Sequence, residues 1–120
     1  MIDLKQIPDS NILIITAKGK VTDDDYEDNI VPAVEDVLKN YDKLRFLYIL
    51  GDEYDGFEGD AMWDDAKVGM KHFTSYEKIG LVTDEKWIRR SVKAFGFLMP
   101  GEVKLFSNDQ LAEAEAWITA

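Results

Sequence analysis

The chain has 120 residues, of which 24 are acidic and 14 are basic, so its formal net charge is −10, and it contains no cysteine. The negative charge argues against a nucleic acid partner, because phosphate contacts need a basic surface. The lack of cysteine excludes disulfides, thiolate catalysis and cysteine-based metal sites, and it is consistent with a reducing compartment.

The length predicts one domain over residues 1–120, because a chain of this size buries about two thirds of its unfolded surface around one core. No apolar run approaches the roughly 20 residues that a membrane span requires. The first residues also lack the basic start and the long apolar run of a secretion signal. We therefore expect a cytoplasmic protein.

The first third of the chain predicts a β-hairpin and then a capped helix. Two β-prone runs, 4–7 and Ile12–Ala17, are separated by four turn formers. Thr22 is a natural N-cap for a helix over 23–40, whose three opening aspartates complement the positive end of the helix dipole. Pro32 lies inside this helix and should kink it or divide it into two pieces. Apolar residues at three- and four-residue steps predict its buried face: Tyr26, Ile30, Val34, Val37, Leu38 and Tyr41.

Strands and helices alternate over the rest of the chain. The predicted strands are Leu44–Leu50, 79–82 and 103–106, and the first of these is apolar enough to be a central strand covered on both faces. The exit of that strand, 51–59, is rich in glycine and aspartate and is predicted to be a loop. Three further helices are predicted: one over 60–73, one that Thr83 or Asp84 caps and that ends near 99, and a last one that Ser107 or Asn108 caps.

Two of these helices have a clear apolar stripe. The helix after 83 is predicted to carry Trp87, Ile88, Val92 and Phe95, and the last helix is predicted to carry Leu111, Ala114, Trp117 and Ile118. The order ββαβαβαβα predicts an α/β fold with four helices and a mixed, mostly parallel five-stranded sheet.

The sequence offers no constellation for catalysis. His72 is the only histidine, and an imidazole near the end of a helix usually interacts with the last carbonyls. No Gly-x-Ser-x-Gly motif is present, and the glycines of 51–56 are accompanied by carboxylates that would repel a phosphate. We predict no catalytic residue, no cofactor and no enzymatic activity.

The acidic loop raises the alternative of a divalent cation. If Gly56 is aligned with the invariant glycine of an EF-hand, Met62 occupies the last ligand position, where a carboxylate is required. The loop is therefore not an EF-hand. A loose Mg²⁺ or Ca²⁺ site from Asp52, Asp55 and Asp60 stays open as an alternative, and it would support a metal- or carboxylate-dependent enzyme. Solvated loop acids are the favoured interpretation.

Aromatic and apolar residues gather at two places that follow the carboxyl ends of strands, where open α/β sheets bind ligands. One group surrounds the start of the helix at 60–73, and the other marks the helix after 83 and its exit. The candidate ligand-binding residues are Phe57, Met62, Trp63, Trp87, Phe95, Phe97 and Met99. For Met62, Trp87 and Phe95 the favoured alternative is that they fill the core, whereas Phe57, Trp63 and Phe97 lie off the apolar stripes.

One short segment reverses the sign of the charge. Lys86, Arg89, Arg90 and Lys93 fall within eight residues, beside the second aromatic group. Arg89 and Arg90 are candidates for receiving the polar head of a ligand, and the segment could equally meet an acidic partner or a lipid headgroup. The favoured interpretation is that these cations neutralise the acidic loops of the same chain.

An ordered set of residues over almost the whole chain resembles the bacterial SpoIIAA-like family of small STAS-type proteins. The set is Gly19-Lys20-Val21-Thr22, Asp25-Tyr26, Pro32, Asp55-Gly56-Phe57-Glu58-Gly59, Trp63-Asp64-Asp65, His72-Phe73, Trp87 and Glu113-Ala114-Glu115-Ala116-Trp117. The resemblance implies a β-rich start followed by alternating helices and strands. It also implies a similarity in fold to the CRAL-TRIO lipid carriers, and with it a small non-polar ligand in a cleft that opens and closes.

The resemblance does not extend to the phosphorylation switch of STAS anti-sigma-factor antagonists. Those proteins carry a serine at the start of the second helix, whereas the equivalent segment here, 57–62, has no serine or threonine. Glu58 or Asp60 could imitate a phosphorylated residue, but a fixed carboxylate cannot switch.

The leading hypothesis is a non-enzymatic protein that holds a small non-polar or lipid-like ligand between the second and third predicted helices. The alternative is a constitutive STAS-type module that binds a protein partner through the surface of the second predicted helix. The expected partners are thus a small non-polar ligand or lipid, with a protein partner or a transient membrane contact as further alternatives and with no nucleic acid. A homodimer is compatible with the sequence.

Overall fold

The computed structural model describes residues 1–58, 75–96 and 101–120. The strands in this part of the chain are β1 (Ile2–Gln6), β2 (Ile12–Ala17), β3 (Gly19–Val21), β4 (Leu44–Leu50), β5 (Tyr54–Phe57), β6 (Tyr76–Thr83) and β7 (Glu102–Phe106). Its helices are α1, which joins Asp23–Asp25, Tyr26–Ile30 and Val31–Asn40, then α2 (Lys86–Phe95) and α3 (Leu111–Thr119). The helix predicted at 60–73 lies outside the described residues.

Five of the strands form one mixed sheet in the order β1-β2-β4-β6-β7. β1 runs antiparallel to β2, and the other neighbours are parallel. The predicted N-terminal hairpin and the predicted mixed, mostly parallel five-stranded sheet are therefore confirmed. β4 is the middle strand, and six of its seven residues are buried, as expected for an apolar strand covered on both faces.

The two faces of the sheet are covered by different helices. Phe46, Tyr48 and Leu50 of β4 pack with α1 and α2, because alternate side chains of a strand point to opposite faces. Leu47 and Ile49, the residues between them, pack with α3. Each face thus has its own apolar core, and β4 contributes to both.

The start of α1 confirms the predicted cap. Thr22 Oγ1 accepts a hydrogen bond from the Asp25 backbone N–H at 3.3 Å, and Asp25 Oδ2 accepts one from the Thr22 N–H at 2.9 Å. This capping box satisfies two backbone donors that the helix itself cannot pair. Asp25 also pairs with the Met1 ammonium at 3.0 Å.

The predicted division of α1 at Pro32 is wrong, because the helical segments follow one another without a break and only the type of helix changes. The turn Tyr26–Ile30 before Pro32 is π-helical, with the Val31 N–H bonded to the Tyr26 carbonyl, and the regular α-helix Val31–Asn40 follows with Pro32 in its first turn. Four of the predicted face residues are buried: Tyr26, Ile30, Val34 and Val37. The prediction for Tyr41 is wrong. Its backbone is extended beyond the end of α1, and 36% of its surface is exposed.

A second, two-stranded sheet was not predicted. β3 and β5 pair in parallel, with Gly19 opposite Tyr54 and Val21 opposite Phe57. The prediction of a loop over 51–59 is therefore wrong at β5. The register shifts within this short ladder, and Gly56 there has a φ of +96°, a conformation open to glycine.

The caps of the later helices differ from the prediction in one case. Ser107 and Gln110 form the predicted cap before the 3₁₀ turn Asn108–Gln110 that leads into α3. Neither Thr83 nor Asp84 caps α2. Thr83 Oγ1 accepts from the Glu85 N–H, and Asp84 Oδ1 accepts from the Asn108 N–H at 3.0 Å, so Asp84 ties the entry of α3 to the end of β6.

α3 lies against the sheet at a residue without a side chain. A Cβ on Gly80 of β6 would be 2.8 Å from Leu47 Cδ1 and 3.1 Å from Trp117 Cζ3, so only glycine leaves room for the Trp117 ring. The carbonyls at the end of α3 accept from Arg45 and Lys78, which complement the negative end of the helix dipole. Leu111, which was predicted to be on the buried stripe, is 38% exposed.

Candidate functional site

An apolar groove of about 190 Å³ lies between α2 and the α1/α2 face of the sheet. We call it the α2 groove. The described residues that line it are Tyr48, Leu50, Phe57, Leu81, Trp87, Ile88, Ser91 and Val92. They come from β4, β5, β6 and α2, so one groove combines the central strands with the small second sheet.

The mouth of the α2 groove is formed by two aromatic rings. Phe57 and Trp87 meet edge to face, with ring centroids 6.3 Å apart and an interplanar angle of 72°. Phe57 meets Tyr54 in the same way, at 5.5 Å and 66°. Trp87 is nonetheless 44% exposed. The alternative that Trp87 fills the core is therefore wrong, and the sequence-based pairing of Phe57 with Trp87 in one place agrees with the structure.

The second sheet explains why Phe57 reaches α2. β5 follows the central strand β4 after a turn in which the Tyr54 N–H bonds the Gly51 carbonyl, and it is then held by its ladder with β3. The Glu58 N–H also donates to the Val21 carbonyl at 2.7 Å. Backbone hydrogen bonds before and after Phe57 in the chain thus hold it in place. The sequence had predicted a loop at this position.

The floor of the α2 groove is part of the buried core. Tyr48 is 5% exposed, and its hydroxyl is 2.9 Å from the hydroxyl of Tyr26, which α1 contributes. Phe46 meets Tyr48 edge to face at 5.7 Å. The groove therefore has a floor that is packed and hydrogen-bonded and a mouth that is half exposed.

Burial and the neighbouring Glu85 carboxylate raise the pKa of Tyr54 to about 12. Its phenol is thus neutral over the physiological range, and the aromatic residues at the mouth of the groove carry no charge of their own.

The four cations of α2 have different roles. Arg89 Nη1 donates to the Thr83 carbonyl at 2.8 Å and to the Phe106 carbonyl at 3.0 Å, and so it joins the carboxyl ends of β6 and β7. Lys86, Arg90 and Lys93 are exposed, and in the described part of the chain they form no ion pair. Arg90 is three residues after Trp87 on the helix, so it lies beside Trp87 on the surface of α2, although it does not line the groove.

The structure gives the positions of only some of the predicted site residues. Phe57 and Trp87 are brought together, Arg90 lies on the adjacent helix face, and Arg89 is held by two backbone carbonyls. Four predicted residues lie outside the described residues: Met62, Trp63, Phe97 and Met99. Phe95 is the last residue of α2, and the structure describes its backbone but not its side chain.

Sequence reasoning missed the residues that complete the groove. Tyr48, Leu50 and Leu81 belong to strands whose apolar runs indicate only a core. Ser91 is the exception, because it lies four residues after Trp87 and therefore on the same helix face. A search for polar residues at this spacing from Trp87 could have found it.

The described residues were also compared with what a metal site and a membrane-spanning helix require. Within residues 1–58, 75–96 and 101–120, no group of three or more His, Asp or Glu residues could hold a metal ion. Asp60 of the alternative cation site lies outside the described residues. Of the helices that the structure describes, none is long and apolar enough to cross a membrane.

Comparisons with known proteins agree on the family. A family model described as SpoIIAA-like matches residues 12–119. The crystal structure of an uncharacterized protein from the DUF3478 family with a SpoIIAA-like fold, from Shewanella loihica PV-4, is similar to this chain. It is 27% identical with a TM-score of 0.75, over 98% of this chain and 92% of that chain. No curated protein matches the chain. The chain therefore belongs to the SpoIIAA-like family.

Proposed function

We propose that this protein is a non-enzymatic binding protein that holds a small apolar ligand in the α2 groove. The observation that carries the proposal is the Phe57–Trp87 pair, in which Trp87 is 44% exposed beside a floor of buried strand residues. Apolar grooves with a few polar groups at their edge are the usual form of a small-molecule site. The fold itself supports many functions, so the proposal depends on this groove and not on the family.

The energetic basis is the removal of aromatic surface from water. Trp87 is 44% exposed, although the Trp side chain is among the largest apolar groups in proteins. Covering about 100 Å² of apolar surface contributes roughly 2.5 kcal/mol before the cost of association is subtracted. A ligand in the α2 groove would gain this from the exposed surface of Phe57 and Trp87, which line the groove together with Leu81.

Arg90 is the candidate for an anionic group on such a ligand. It is exposed, and it follows Trp87 by three residues on α2. Arg89 does not have this freedom, because its guanidinium donates to the Thr83 and Phe106 carbonyls. The polar rim of the proposed site is therefore Arg90, with Arg89 as a residue that positions the end of the sheet.

The proposal is tested by filling the α2 groove. Ser91→Phe places a ring in the groove from an exposed helix position, and Ala94→Phe is the matched control at an exposed position of α2 that does not line the groove. The protein is purified gently from its host and examined by native mass spectrometry. It is then titrated with apolar ring and chain compounds while the resonance of 5-fluorotryptophan at Trp87 is followed by ¹⁹F NMR.

We expect an adduct or a probe-dependent shift at Trp87 in the wild type and in Ala94→Phe, and its loss in Ser91→Phe. If no adduct is found and neither class of probe moves the Trp87 resonance, the proposed function is wrong. Equal binding by all three proteins would also contradict it, because the site would then lie outside the α2 groove.

A second candidate function, a protein-interaction module, is favoured by the exposed cations around Trp87. Aromatic and arginine side chains are enriched at the centres of protein interfaces. An acidic protein partner bound by this surface would be lost on Arg90→Glu but kept by Ser91→Phe, which leaves the outer face of α2 unchanged. A small ligand in the groove would be lost on Ser91→Phe, whether or not Arg90→Glu also weakens it, so Ser91→Phe separates the candidates.

A further inference from the structure

The size of the α2 groove limits what it can hold. Its volume is about 190 Å³. An apolar cavity of about 150 Å³ is known to accommodate benzene, whereas sites for drug-sized molecules start at about 300 Å³. The groove is therefore in the range of one or two rings, and it is smaller than a site that encloses a larger molecule.

The walls of the groove favour flat ligands. Phe57 and Trp87 both line the groove, and Trp87 is 44% exposed, so a ligand in the groove meets aromatic surface. Aromatic pairs of this kind gain stabilisation beyond the area that they bury, whether the partner ring is offset or edge-on. A saturated chain obtains no such contribution from either wall.

The floor of the groove does not continue into the core. Tyr48, Leu50 and Ile88 beneath it are only 5%, 3% and 6% exposed, and interiors packed to this degree leave few voids larger than a water molecule. A long chain would therefore extend beyond the described residues that line the groove. Each methylene that remains uncovered forgoes about a fourfold gain in affinity.

We infer that the ligand of the α2 groove is a molecule of one or two aromatic rings and not a long acyl chain. The inference rests on the proposed function, since it names the chemical class that the same site accepts. It narrows the non-polar or lipid-like ligand that the sequence predicts. Size, the two ring walls and the closed floor all point to this class.

The inference is tested with two carboxylates of nearly equal carbon number, 2-naphthoate and decanoate, so that charge is matched and shape differs. The protein is labelled with 5-fluorotryptophan, and the Trp87 resonance is assigned with Trp87→Phe. Trp117 is the internal control, because its ring packs against Phe106 on the opposite face of the sheet, with centroids 5.8 Å apart.

We expect 2-naphthoate to shift the Trp87 resonance at a concentration at least about tenfold lower than decanoate, with the Trp117 resonance unchanged. Leu81→Ala, which widens the groove at a partly buried position, should reduce this ratio. If decanoate binds as tightly as 2-naphthoate or more tightly, the ring inference is overturned while the proposed function stands. If neither compound shifts Trp87, the inference is overturned, and the absence of an adduct in native mass spectrometry as well overturns the proposed function.

Discussion

Two tryptophans on opposite faces of the same sheet have opposite surroundings. Trp117 of α3 lies over Gly80 and beside Phe106, and Lys78 Nζ is 5.1 Å from the centre of its ring. Trp87 of α2 meets Phe57 and is 44% exposed. Trp117 is thus packed against side chains of its own face, whereas Trp87 is left half exposed beside Phe57. The surroundings of Trp117 therefore mainly stabilise the fold, whereas those of Trp87 form the site that we propose for a ligand.

The largest expected effect separates the two tryptophans directly. Trp117→Ala should lower the free energy of unfolding by about 3 kcal/mol, because it removes a ring that packs on the sheet and leaves a cavity. Trp87→Ala should lower it by about 1 kcal/mol, chiefly through the lost contact with Phe57. Urea denaturation of both variants measures the difference. Equal losses would contradict the contrast between the faces.

The next effect tests how closely α3 approaches the sheet. Gly80→Ala should destabilise the protein by about 2 kcal/mol, because its methyl group would press on Leu47 and Trp117. Gly51→Ala is the matched control, since a Cβ there would be 3.7 Å from its nearest neighbour, Ile49 Cγ2. Thermal unfolding of the two variants should show a lowered midpoint for the first alone. A stable Gly80→Ala protein would mean that the α3 face has unfilled room.

A smaller effect concerns the floor of the α2 groove. Tyr26→Phe should cost about 1 kcal/mol, because it removes one hydroxyl of the buried pair with Tyr48. Tyr41→Phe changes an exposed tyrosine just beyond the end of α1 and should leave stability unchanged. Chemical denaturation compares them. If Tyr26→Phe is neutral, the floor is held by packing alone.

The smallest effect depends on pH. Burial would raise the pKa of Asp25, but the Thr22 N–H and the Met1 ammonium outweigh it and lower the pKa below its usual value. Asp25→Asn should therefore cost about 0.5 kcal/mol at neutral pH, where the carboxylate is charged in both states. Because the folded pKa is lowered, this contribution is complete above about pH 4 and disappears as the pH falls through the folded pKa.

Asp24→Asn provides the control for this last measurement, since Asp24 is exposed in the same turn and takes no part in the capping box. Stability is measured for the wild type and both variants from pH 2 to about pH 7. The Asp25→Asn curve should lie below that of the wild type at neutral pH and meet it at the acid end, whereas the Asp24→Asn curve should stay close to that of the wild type throughout. A constant difference at all pH values would show that the side chain acts by packing and not by its charge.

The elements with a strong local signal could be predicted from the sequence. The run Leu44–Leu50 predicted the central strand, and Thr22 with its acidic turn predicted the start of α1. β3 and β5 could not be predicted in this way, because three- and four-residue strands containing glycine show no alternation, and their pairing joins parts of the chain that are far apart.

The candidate site likewise contains residues that the sequence predicted and residues that it did not. Phe57 and Trp87 were predicted because each is an aromatic residue after a strand end. The exposure of Trp87 could not be foreseen, because the helical stripe that contains Ile88 and Val92 suggests burial for all three. Tyr48 and Leu81 carry a signal for the core alone, and their second role depends on where β5 brings Phe57.

The π-helical turn Tyr26–Ile30 also limits how the length of this chain can vary. A π turn holds one residue more than an α-helical turn, and each helical residue corresponds to a rotation of about 100°. Deleting one residue between 26 and 30 would still permit a continuous helix, but it would rotate Thr22 and Asp25 away from their present positions relative to Val34. A substitution here disturbs one contact, whereas a one-residue deletion would separate the capped start of α1 from the tyrosine pair beneath the groove.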